Sequence, residues 1–250
     1  MDYVIAVLFF VLGLSLGSFL CVCIDRLPRG GSVIRPPSHC DSCGRKLGTM
    51  DLIPIVSYLV LRGKCRYCGV KIPVNVLIVE LITGLLFLLF WLYYGLTLDL
   101  LFALIYGCFF IVIFFIDLKH YLVLNKVIYP AIVIALIIAA ATQYNDIKVP
   151  LLGGLIAAGI LLLIALVSRG GMGIGDVKLG AFIGLIVGYY QGVSVFLLTS
   201  FILGGIIATA LFLSKRKGGK ESIPFAPFLI VGGVVAMLYG DVIWKFWIGL

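Results

Sequence analysis

The chain has 250 residues, 63% of them hydrophobic and 12% charged, with a mean hydropathy of +1.23 and a formal net charge of +8. That composition excludes a soluble globular domain and describes a polytopic membrane protein. It also argues against a nucleic-acid partner, because the cations track the ends of apolar stretches and are not interleaved with stacking aromatics.

A bilayer-spanning helix needs roughly 20 mostly apolar residues. Eight stretches meet or approach that length, at about 4–24, 76–95, 98–116, 127–142, 150–167, 179–190, 192–213 and 223–240. The first opens MDYVIAVLFF, with Asp2 where a cleaved signal peptide carries basic residues, so it reads as a retained span. The sixth is the shortest. Its Gly180, Gly184 and Gly188 recur every fourth residue, which predicts close packing against another helix. The expected fold class is therefore all-α and polytopic, with about eight transmembrane helices.

Lys and Arg accumulate in short cytoplasmic loops. After the first span come Arg26, Arg29, Arg35, Arg45, Lys46, Arg62, Lys64, Arg66 and Lys71, and later loops on the same side add Lys119, Lys126, Arg169, Lys178, Lys215, Arg216, Lys217 and Lys220. Of the 19 cations only Lys148 and Lys245 fall opposite, which puts both termini outside and the basic loops in the cytoplasm. Three segments follow: a first span at 1–24, a cytoplasmic loop domain at 25–75 and a membrane domain at 76–250.

The loop contains CDSCG and CRYCG, a twofold repeat supplying Cys40, Cys43, Cys65 and Cys68 with 21 residues between the inner pair. Two such knuckles let four thiolates surround zinc tetrahedrally in a closed, structural site. Gly44 and Gly69 follow the knuckles, where positive φ lets the backbone turn its amides toward sulfur. Two disulfides are the alternative, disfavoured by the reducing compartment that the charge pattern implies. His39 beside Cys40 reads as a bystander, and Cys21, Cys23 and Cys108 read as small hydrophobes within spans.

Ionisable residues are costly in a membrane and tend to face interior cavities. Asp117 closes the third span in FFIDLKH, and Asp176 opens the sixth within GMGIGDVKLG, so the two carboxyls lie at one depth on different helices. Glycines at 170, 171, 173 and 175 keep the chain before Asp176 thin enough for an extended peptide to approach. Two close carboxyls cannot easily both ionise, and a shared proton gives one base for water and one acid for a scissile carbonyl, the chemistry of an aspartic protease. The alternative is that each aspartate merely marks a helix end. Glu80, deep in the second span, reads as a structural partner of a neighbouring helix. A metalloprotease lacks support, since no HExxH occurs and the histidines are His39 and His120. A proton-coupled transporter with border carboxylates and a cytoplasmic zinc cap is the other reading that these features allow.

The segments GSFLCVCIDRLPRG, PPSHCDSCG, DLIPIVSYLVLRGKCRYCG, VELITG, FFIDLKH and GIGDVKLG, in that order, resemble the type IV prepilin peptidases, which are membrane aspartic proteases with a GxGD motif. The resemblance covers nearly the whole chain. It implies Asp117 and Asp176 as the catalytic pair, Cys40, Cys43, Cys65 and Cys68 as the zinc set, and type IV prepilin or pseudopilin precursors as substrates, cut behind a short basic leader. It further implies N-methylation of the new N-terminus from S-adenosylmethionine, associated with the 25–75 loop, with 76–250 as the peptidase domain. The expected location is the cytoplasmic membrane of a prokaryote, with membrane lipid around the chain, the active site facing the cytoplasm, and a role in pilus assembly, secretion or DNA uptake. Lys119 and Lys178 flank the aspartates and could meet an acidic substrate residue, and Arg26 and Arg29 could meet the methyl donor's carboxylate. The chain departs from the family pattern at Cys21, at Gly48, Thr49 and Met50, and at Leu124 and Asn125.

Overall fold

The computed structural model describes residues 2–142, 146–168, 171–214 and 223–249. Arg169, Gly170, Lys215, Arg216, Lys217 and Lys220, all named above, lie outside the described residues. The elements in chain order are α1 (Asp2–Arg26), a short 3-10 turn (Thr49–Asp51), α2 (Val56–Val60), α3 (Val74–Tyr94), α4 (Leu98–His120), α5 (Asn125–Thr142), α6 (Lys148–Val167), α7 (Ile174–Val187), α8 (Tyr190–Leu213) and α9 (Ala226–Ile248). Among the described residues there is no β-strand beyond two isolated bridges, His39 with Lys46 and Lys64 with Lys71.

Seven of these helices, all except α2 and α7, are long and apolar enough to cross a membrane. The sixth expected span, 179–190, is displaced. Its helix starts earlier, at Ile174, because Asp176 sits in the first turn behind the extended N-cap Gly173, and it stops at Gly188, whose φ of 74° ends the helical ladder. The resulting 14 residues rise about 21 Å, short of a roughly 30 Å hydrocarbon core. The last helix runs beyond the expected Gly240 as far as Ile248.

The chain divides into two compact units, Met1–Phe115 and Ile116–Leu250. In the first, α1 and α3 pack antiparallel along a seam of small residues: Gly13 lies against Gly84, and Gly17 against Glu80 and Thr83. Without a hydrophobic force between helices in lipid, such close approach is what gives them contact. In the second unit α6 and α7 pack antiparallel in the same manner. Gly153 faces Gly184 and Gly188, and Gly180 faces Leu161, so the Gly repeat of the sixth stretch is a packing seam. α8 and α9 form the other close pair, where Gly232 meets Ser200 and Phe196, while Gly233 of α9 meets Ile183 of α7.

Candidate functional site

In the second unit, three helix ends converge. Asp117 lies in the last turn of α4, where Tyr121 turns the chain at φ 57° with its N–H on the Asp117 carbonyl. Its side chain is 5% exposed and its Oδ2 accepts the N–H of Ala226, the first residue of α9, at 3.2 Å. That amide is one of the orphan donors every helix start leaves. Asp176, 9% exposed, sits in the first turn of α7 and takes the N–H of Gly173 on its carboxylate. Each aspartate therefore does cap a helix start, as the modest reading of the sequence expects. Both also share one place: Asp117 is the acidic group whose charge reaches Asp176. Two buried acids close enough for the charge of one to be felt by the other carry a penalty that simple capping does not require, since either could be replaced by Asn or Ser at a cap.

The neighbours differ from the sequence expectation in two ways. The space beside Gly175 is not open to a peptide: a side chain there would meet Val123 of the α4–α5 turn at 2.8 Å. The missing Cβ serves to bring that turn onto the start of α7. Lys178 is engaged internally, with Nζ donating to Asn125 Oδ1 at 2.7 Å and lying 4.9 Å over the Tyr129 ring, so it pins the start of α5 to α7. Sequence reasoning missed Asn125 and the Ala226 amide as parts of this cluster. Pro227, at the beginning of α9, was the one local sign of a helix start there.

In the first unit the two knuckles fold alike. Cys40 N–H bonds Arg45 O and Gly44 N–H bonds Cys40 O; in the second knuckle Cys65 N–H bonds Val70 O and Gly69 N–H bonds Cys65 O. Gly44 and Gly69 have φ of 68° and 71°, the left-handed turn the repeat predicts. The four sulfurs lie within 4.8 Å of one another, with Cys40 and Cys68 3.8 Å apart, and all are free thiols. A tetrahedral metal with bonds of about 2.3 Å separates its sulfurs by about 3.8 Å, so the donor set fits a metal ion. The N–H groups of Cys43 and Ser42 draw the Cys40 thiol down to about 7, while, against the Val70 N–H, burial and the neighbouring sulfurs push the Cys68 thiol up to about 11. His39 Nδ1 lies 2.9 Å from the Pro37 carbonyl and takes no part in the cluster.

Asp51 is a residue the sequence reading overlooked. Its side chain is 6% exposed and holds Arg66 Nε at 2.6 Å, Tyr67 OH at 3.2 Å and Gly48 N–H at 3.0 Å. Arg45 of the first knuckle stacks 4.4 Å over Tyr67 of the second. The inner residues of the second CxxC, Arg66 and Tyr67, are thus clamped to Asp51 and to Arg45, which follows the first knuckle. Hydrogen bonding from Arg66, with those from Gly48 and Tyr67, holds the Asp51 carboxyl below the usual range. Arg26 and Arg29 are likewise occupied: Arg26 donates to the Ser32 and Pro36 carbonyls at 3.2 and 2.6 Å, and Arg29 pairs with Asp25 at 3.2 Å.

Fold and site together define a multi-pass helical membrane protein that carries a buried acid pair and a four-thiol cluster. Residues 11–94 match the bacterial peptidase A24 N-terminal domain and residues 104–209 the type IV leader peptidase family. The chain is 35% identical over 244 residues to a prepilin leader peptidase/N-methyltransferase of Bacillus subtilis (strain 168), covering 96% of each. It is 33% identical to the protein of that name from Myxococcus xanthus (strain DK1622), over 87% of this chain and 66% of the relative, and 31% identical to that of Dichelobacter nodosus, over 88% and 77%. The chain belongs to the type IV leader peptidase family. No solved structure matches it.

Proposed function

We propose that this chain is a membrane aspartic endopeptidase that removes the basic leader from type IV prepilin or pseudopilin precursors. The observation that carries the reading is the pair Asp117 and Asp176, buried on separate helix ends of one unit with the charge of one reaching the other. Each carboxylate has an amide to orient it, from Ala226 and from Gly173, and retains oxygen lone pairs for chemistry. With one shared proton, the ionised member takes a proton from water as the oxygen attacks the scissile carbonyl, and the protonated member gives its proton to the carbonyl oxygen. Collapse of the tetrahedral species then returns a proton to the departing amine.

The basic loops support a cytoplasmic border for this chemistry, and the bacterial relatives support the inner membrane of a prokaryote. The four thiols would hold zinc, which would supply a structural cross-link to the loop. The relatives' shared name supports a second activity, N-methylation of the freed N-terminus from S-adenosylmethionine, with 25–75 as the associated loop domain and 76–250 as the peptidase domain. Nothing favours a transporter: Glu80, the deep carboxylate such a path would need, is tied to a backbone amide of the loop. The test is mass spectrometry of a prepilin precursor incubated with the purified protein. Cleavage behind the leader by the wild type and none by Asp176→Asn is the expected result; a folded Asp176→Asn protein that still cuts overturns the assignment.

A further inference from the structure

Between the two knuckles, residues 52–60 combine three features that the peptidase chemistry does not use. Ile55 has φ 61° and ψ −51°, and the Val56 N–H reaches back to the Pro54 carbonyl at 2.5 Å, which makes a three-residue turn of the strained γ type. For a β-branched residue that conformation is an outlier, and it persists only where the surroundings over-determine it. What holds it is Glu80. The carboxylate is 4% exposed, its Oε2 accepts the Ile55 N–H at 2.8 Å, and Ser18 bonds the same group.

The second feature is depth. Glu80 lies six residues inside the start of α3, about 9 Å along its axis, and faces Gly17, which lies about 13 Å before the end of α1. Cys21 Sγ on the Val76 carbonyl confirms that register. Apart from Glu80, α3 is apolar from Val76 to Ile82, and apart from Asp2, Ser15 and Ser18, α1 is apolar up to Ile24, so the Ile55 amide is level with the apolar part of two membrane spans. A backbone amide at that depth has no water to bond and must find a partner inside the protein. Most of the segment meets that requirement: besides Ile55 and Val56, the N–H groups of Ser57, Leu59 and Leu61 bond the carbonyls of Ile53, Ile55 and Ser57.

The third feature is the outward face. Ile53, Val56, Leu59 and Val60 are 41, 54, 62 and 72% exposed, an apolar surface followed at once by Arg62 and Lys64. We propose that residues 52–60 are a membrane-embedded foot of the cysteine loop, seated in the acyl boundary of the bilayer and latched to α3 by Glu80. The occupant of its apolar face is lipid, because the face is continuous in depth with the α1–α3 spans and the cations that follow it stand where anionic headgroups begin. Tyr58, whose hydroxyl reaches the Ile72 carbonyl at 3.4 Å, suits the same boundary, with an apolar ring and a polar tip. The foot does not depend on the proposed catalytic activity.

The test uses the full-length protein in phosphatidylethanolamine–phosphatidylglycerol vesicles, with a photoreactive benzoylphenylalanine placed at Leu59 or Val60. Leu85, on the outer face of α3, is the lipid control, and Ser42, in the first knuckle, the aqueous one. Lipid adducts at 59 and 60 comparable to those at 85, with none at 42, are expected. Adducts matching position 42 instead, or cross-links between copies of the chain, overturn the lipid assignment. Hydrogen exchange reads the latch separately: Glu80→Ala should speed exchange across 53–60 at least tenfold, and Glu80→Gln, whose amide oxygen still accepts, should restore protection while metal content stays unchanged in both. Unaltered exchange in Glu80→Ala overturns the latch.

Discussion

Asp117 and Asp176 are each held by a single backbone amide, from Ala226 and from Gly173. Replacing either by Asn keeps an acceptor for that amide and removes only the proton chemistry. Both variants should insert and fold, yet lose at least a hundredfold to ten-thousandfold in cleavage rate, read by the mass of a co-incubated precursor. Asp51 makes a contrasting case at the same scale. Its carboxyl is held below the ordinary range by Arg66, so it adds stability above the unfolded carboxylate value of about 4, and that stability is lost as the pH falls through its own lower value. Asp51→Asn should therefore melt below the wild type at pH 7, and the gap between the two midpoints should close on acidification towards pH 3. A gap that stays constant would mean that the clamp is not ionic.

At the scale of the elements, the α6–α7 pair rests on glycine. A Cβ on Gly153 would overlap the carbonyl oxygens of Gly184 and Gly188, which backbone cannot yield cheaply, whereas one on Gly159 meets nothing within 4 Å. Gly153→Ala should lower the thermal midpoint in detergent by the equivalent of about 1–3 kcal/mol or more, and Gly159→Ala should leave it unchanged. Because α7 carries Asp176, cleavage should fall with Gly153→Ala as well. The cysteine cluster belongs to this scale too. One zinc per chain is expected by metal analysis, lost on replacing any of Cys40, Cys43, Cys65 or Cys68 by Ser, since three thiolates leave the tetrahedral site open.

For the whole molecule, α7 returns beside α6 until Gly188 meets Gly153, and the charge pattern then predicts that reporter fusions in the 25–75 loop and in the segments around 169 and 217 are cytoplasmic, and that a fusion near Lys148 is not. The two activities carried by the relatives' shared name are separable by one measurement. Precursor incubated with enzyme and S-adenosylmethionine should yield a cut product whose N-terminal mass rises by about 14 Da, the net gain when one methyl replaces a hydrogen on the amine. A product that is cut but never gains that mass identifies a peptidase without methyl transfer.

The helices were legible from the chain alone because lipid imposes a single demand on every span, a long apolar run with internal hydrogen bonds, and that demand is written locally in residues such as 76–95 or 192–213. The knuckles were legible for the same reason: Cys-x-x-Cys-Gly encodes its own turn, and Gly44 and Gly69 adopt it. The sequence also singled out Asp117 and Asp176, because a carboxylate at the edge of an apolar stretch is conspicuous. What it could not supply was every relation between distant residues. Asp117 meets Ala226 across 109 positions, Lys178 meets Asn125 across 53, and Glu80 meets Ile55 across 25. None has a period or spacing to betray it, because hydrogen bonds of this kind depend on how helix ends converge in space. The short α7 was decided at the same level: composition sees only an apolar stretch, while the glycine turn at 188 and the seam against Gly153 fix where that helix stops and which carboxyl it presents.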